Sequence, residues 1–150
     1  MKIETDQLAT KTPMTLGGSG WESMPAEPVA ISNPEGILVA GGLLYVSANN
    51  RIWSIDPVAH SEAVFAGDES GTNTDGTGTG AGFSDPFGLC IADSNLYVAC
   101  FGSPAIRKVT TPGAVVTTLD NPVAGDTYPS LFLMFTATDG IHLWVSVSAD

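Results

Sequence analysis

The chain has 150 residues, enough to bury one compact core. With 43% hydrophobic and only 14% charged residues, its composition argues against a disordered polyelectrolyte. Five Lys and Arg against sixteen Asp and Glu give a net charge of −11, which argues against binding to nucleic acid or an anionic membrane, since phosphates need clustered cations.

The N-terminal stretch, residues 1–31, reads as an arm. Met1-Lys2-Ile3-Glu4-Thr5-Asp6-Gln7 has no apolar run behind its Lys and is not a signal peptide. Nowhere does an apolar run approach the ~18 residues of a membrane span. The expectation is a protein made in the cytoplasm and not exported by a standard route. Within the arm, Met14-Thr15-Leu16-Gly17-Gly18 resembles Val64-Phe65-Ala66-Gly67 further on, so the arm is expected to supply outer strands. Gly20-Trp21 follows as a connection.

Residues 32–67 read as four short strands. Gly36–Ala40 is the first, and Gly41-Gly42 makes a tight turn where positive φ costs little. Leu43–Ala48 returns, Asn49-Asn50 turns again, and Arg51–Asp56 and Glu62–Ala66 complete the unit. Residues 68–85 form a connection rich in Gly, Thr and Asp. Residues 86–120 then repeat the first unit: Pro34-Glu35-Gly36-Ile37 returns as Pro86-Phe87-Gly88-Leu89, 52 positions later (34 to 86), and Leu44-Tyr45-Val46 returns as Leu96-Tyr97-Val98. Asp93-Ser94 replaces the Gly pair, and Ala105–Thr110 and Ala114–Leu119 are the third and fourth strands. Residues 121–150 hold a third, partial copy, with Leu131–Ala137 followed by Leu143-Trp144-Val145-Ser146-Val147. Four short antiparallel strands per repeat make a propeller blade, so the fold class is all-β: about three propeller blades per chain.

The run Asp75–Leu89, of the form D-G-x-G-x-x-A-x-F-x-x-P-x-G-L, feeds one unit into the next. With Pro34, Gly36, Ile37, Leu44, Tyr45, Val46, Arg51, Ile52, Ile55 and Gly67 in the first repeat, and Pro86, Gly88, Leu89, Leu96, Tyr97, Val98, Ile106, Arg107 and Val109 in the second, the chain resembles the NHL-repeat family of β-propellers. The resemblance covers residues 32–120 well and 121–150 in part. It departs where family blades often carry Asp after the L-Y-V segment: Ser47-Ala48 and Ala99-Cys100 stand there. Some NHL-type propellers are zinc-dependent lyases, but this chain has only His60 and His142, short of the histidine set which that activity implies.

Candidate sites are few. Asp68, Asn73 and Asp75 in the glycine-rich connection invite a calcium reading, because hard cations take oxygen ligands from flexible loops. Against it, Gly71–Gly76 lacks the first acidic ligand of an EF-hand loop, and Gly82 stands where the bidentate Glu belongs. The plainer reading is a solvated connection with no cofactor. A two-residue turn at Asp93-Ser94 sets Cys90 opposite Tyr97 and Cys100 opposite Phe87, on opposite faces, so a disulfide is geometrically poor. Tyr45, Tyr97 and Trp144 share one repeat position and are expected to pack between blades. Arg51 and Arg107 also recur and are expected to pair with carboxylates of adjacent blades.

Three blades do not close a ring, since closed propellers have ~4–8. The favoured solution is a homodimer of about six blades in which the N-terminal and C-terminal edge strands of two chains complete each other, with Met14, Leu16, Trp21, Leu143, Trp144 and Val145 at the contact. The alternative is a piece of a longer propeller. The expected function is a non-catalytic, self-assembling structural or surface-presenting subunit that meets itself and other proteins of a larger assembly, a phage or virus virion being one setting. Two rivals stand beside it. A binding module for a protein, peptide or glycan would converge polar and aromatic loop residues on one face. A metal-dependent propeller lyase or hydrolase would hold a metal at the central channel.

Overall fold

The structure, a computed structural model, describes residues 31–119 and 131–149. These residues contain eleven strands and no α-helix. The arm, with Met14, Leu16 and Trp21, lies outside the described residues, as does 120–130.

The first sheet is β1 (Pro34–Ala40), β2 (Leu43–Ala48), β3 (Arg51–Asp56) and β4 (Ser61–Ala66), antiparallel and in sequence order. Its turns are built from residues that tolerate the left-handed region: Gly41 and Gly42, then Asn49 and Asn50, all have positive φ. The second sheet contains β6 (Pro86–Ala92), β7 (Asn95–Cys100), β8 (Ala105–Thr110) and β9 (Val115–Thr118). A fifth strand, β5 (Gly76–Thr77), adds to its outer edge beside β9. The third pairing is β10 (Leu131–Thr138) with β11 (Leu143–Ala149). The first strands of the three sheets, β1, β6 and β10, contact one another in sequence order.

Each of these first strands is bulged: the register shifts between Pro34 and Gly36, between Pro86 and Leu89, and between Leu133 and Phe135. Proline has no N–H to give a ladder and is at home at such a break. The bulge corrects one sequence expectation. Cys90 does face Tyr97, but Cys100 pairs with Pro86 and not with Phe87, because the extra residue in β6 slips the register. Alternation along β7 still points Cys100 and Tyr97 to opposite faces, so the two thiols remain apart; both are free and buried.

The main core lies between the first and second sheets. Tyr45, Ile52 and Ala66 from the first meet Leu89, Leu96, Val98, Val109 and Val116 from the second. A smaller cluster on the other face of the second sheet joins Ala99 and Ile106 to Tyr97, Leu143 and Val145. Both faces of the second sheet are therefore covered.

Candidate functional site

The connection between the sheets is anchored to the second sheet through Gly76–Thr77, while the side chains of residues 68–80 are exposed or half-buried. Gly67 N–H donates to the Gly78 carbonyl at 3.1 Å, a 3-10 turn occupies Gly78–Gly80, and Thr74 and Gly82 bond each other in both directions. Ala81 and Phe83 are fully buried. A side chain at Gly82 would collide with the Thr72 carbonyl oxygen, so the close approach requires glycine here.

The three calcium candidates do not share a site. Asp68 Oδ1 accepts the Ser70 amide at 2.9 Å, and this bond holds its carboxyl below the usual range. Asn73 accepts the Ser84 amide at 3.0 Å and donates to the Ser103 carbonyl at 2.7 Å. Asp75 Oδ1 takes Arg107 Nη2 at 3.0 Å, the Thr118 amide at 2.9 Å and the Thr118 hydroxyl at 2.8 Å. Among the described residues, no three His, Cys, Asp or Glu side chains are grouped to hold a metal.

The recurring arginines take their carboxylates from the connection and not from an adjacent sheet. Arg51 pairs with Glu69 and lies over the Trp53 ring at 5.9 Å. Arg107 is 0% exposed; besides Asp75 it reaches the Thr74 carbonyl at 2.9 Å and lies 5.6 Å from the Phe83 ring centre. Burial lowers its pKa from the ordinary guanidinium value. These contacts make Arg107 the anchor of the connection, and one Nη carries both hydrogen bonds.

The cysteines and histidines among the described residues fall outside residues 68–85 of the connection. Burial pushes the Cys100 thiol up to about 12 and also raises Cys90, the opposite of what an attacking thiolate needs. His60 sits exposed at the β3–β4 turn with positive φ. His142 closes the β10–β11 hairpin against Asp139 at 3.1 Å.

Two surface features stand out. One is a cavity of about 400 Å³ between the first two sheets, at the end that carries the β2–β3 turn and the entry to β6. Asn33, Asn49, Asn50, Asp85, Glu35 and the Phe87–Phe101 ring pair line it. The other is a pair of sheet faces over which no further sheet packs among the described residues, although Val46 on the first of them is buried. On the outer face of the first sheet, Ile37 is 64% and Val39 69% exposed, beside half-buried Leu44, Trp53 and Ile55. On the outer face of the third sheet, Trp144 is 62% exposed and pairs across the ladder with exposed Ala137.

Trp144 thus departs from its repeat mates: Tyr45 is in the main core, edge-on to Phe65 at 5.1 Å, and Tyr97 is in the smaller cluster. Among the described residues no strand pairs with the free side of β11, and Trp144 meets the His142 ring, centroids 6.0 Å apart, in place of a covering sheet. Its neighbours Leu143 and Val145 point inward onto the second sheet. Compared with protein-family models and with curated proteins, the chain matches none.

Proposed function

We propose that the chain is a non-catalytic, NHL-type β-propeller subunit that assembles with itself. The supporting observation is the pair of open apolar faces at opposite ends of the row of sheets. Inside the chain, each sheet meets the next through apolar side chains: the first through Tyr45 and Ile52, the second through Ala99 and Ile106. The outer faces carrying Ile37 and Val39, and Trp144 and Ala137, repeat that chemistry without a neighbour sheet among the described residues. Exposed large apolar side chains on a sheet face are the chemistry of an association site.

The two faces are different, so their contact is head-to-tail, and such contacts form rings when the rotation closes. Two copies of three sheets would supply about six blades, within the ~4–8 of closed propellers. An assembly built this way suits a structural or surface-presenting component of a multi-subunit particle.

Sedimentation velocity of the purified chain tests this. The expected result is a species of twice the chain mass that dissociates when Trp144→Glu places a charge on the face. A stable monomer at micromolar concentration, unchanged by that substitution, would refute self-assembly and leave further blades of a longer chain as the cover for these faces.

A further inference from the structure

The cavity between the first two sheets lies within one chain and does not depend on assembly. We infer that it binds an organic cation on an alkyl stem, of the kind a basic peptide presents as an arginine or lysine side chain. Three observations lead there.

First, the cavity is concave and of ligand size: about 400 Å³, within the range of roughly 300–1,000 Å³ typical of small-ligand sites. Second, its amides are largely committed to holding the loops. Asn49 Nδ2 donates to the Ser32 carbonyl at 2.9 Å, Asn33 reaches Asn49 Oδ1 at 3.5 Å, and Asn50 Oδ1 accepts the Asp85 amide at 3.0 Å. These bonds pin the strand ends with Asn33, Asn49, Asn50 and Asp85 all at positive φ, which Asn and Asp tolerate better than most residues. A polyhydroxyl ligand, which needs several uncommitted amides and hydroxyls, is poorly served.

Third, the carboxylates are not committed. Glu35 and Asp85 line the cavity, both are exposed, and among the described residues neither joins an ion pair. Among the described residues the lining contains no Lys, Arg or His to neutralise them. The net charge of −11 adds a long-range field of the same sign. Pro86 and the two Phe rings supply apolar wall for the methylene stem, while the charged head meets the carboxylates.

The test is calorimetric titration with an acetylated, amidated Gly-Arg-Gly peptide, its citrulline counterpart and maltotriose. Citrulline keeps the shape and loses the charge. Saturable binding of the arginine peptide is expected, at least ten-fold tighter than the citrulline peptide and weaker as salt rises. Asp85→Asn, which keeps a side chain suited to positive φ, and Glu35→Gln should each weaken it several-fold, while Glu62→Gln on the remote β4 should not. Equal binding of arginine and citrulline peptides, preference for maltotriose, or no binding of the arginine peptide at millimolar concentration would each overturn the proposal. The peptide comparison needs no variant, so it stands even if a substitution impairs folding.

Discussion

Ser47 Oγ donates to the Phe87 carbonyl oxygen at 2.6 Å, and so ties the second strand of the first sheet to the first strand of the second. The same oxygen accepts the Gly36 amide at 2.9 Å, which the bulge in β1 has taken out of the ladder. Ser47 is fully buried and stands where NHL-type blades often carry Asp. The short hydroxyl thus serves two backbone groups at the junction, the Gly36 amide and the Phe87 carbonyl.

Ser47→Ala should therefore destabilise the chain by about 1–3 kcal/mol, the loss of two hydrogen bonds at a part-buried junction. Urea unfolding monitored by circular dichroism measures it, and faster hydrogen exchange at the Gly36 amide locates it. Gly36→Ala should be at least as harmful, since a Cβ there would strike the Phe87 carbonyl oxygen.

Asp75→Asn should loosen the connection and cost about 1–3 kcal/mol, because it removes the counter-charge from a buried guanidinium. The figure sits below that for a fully buried pair because the Asp75 side chain is 55% exposed. Limited proteolysis should then cut within residues 68–80 while the sheets stay intact.

Neither thiol should react in the native state. Cys100 ionises in the fold only at about 12, against 9.0 for an ordinary thiol. Its protonated form is the one the fold favours. The associated stability is complete below pH 9 and declines as pH rises from there toward 12. Ellman's reagent should label both thiols at pH 8 no faster than global unfolding; rapid labelling of one thiol would contradict its burial.

Asp139 should remain ionised to about pH 2, because it accepts the amides of His142 at 2.7 Å and Ile141 at 2.9 Å. The contribution of this turn is present above the ordinary value of 3.8 and is lost as pH falls through about 2. An NMR titration of the Asp139 carboxyl carbon checks it, and a midpoint near 4 would show that the turn is not formed in solution.

The strands were legible in the sequence because alternation and turn chemistry agreed. Gly41-Gly42, Asn49-Asn50 and Asp93-Ser94 all adopt the positive φ that a tight hairpin needs, and the strands between them begin and end within a few residues of expectation. What pattern reading missed is long-range. Asp75 meets Arg107 across 32 positions, beside the short fifth strand that the glycine-rich link adds to the second sheet. The slip at Pro86–Leu89 was hidden because a bulge leaves no mark in the alternation of β7. The cavity was equally hidden: Asn49 read as a turn residue and Asp85 as the end of the connection, and only the packing of two sheets brings them together. Trp144, expected from its repeat position to pack between blades, has no sheet over it among the described residues.

Cross-linking between chains addresses the assembly most directly. Val39→Cys and Trp144→Cys chains, mixed at equal concentration and treated with a short bismaleimide, report which faces meet. Head-to-tail assembly predicts that the mixed 39–144 product dominates over the 39–39 and 144–144 products. Same-site products alone, or no interchain product at concentrations where the chain sediments as an oligomer, would contradict it.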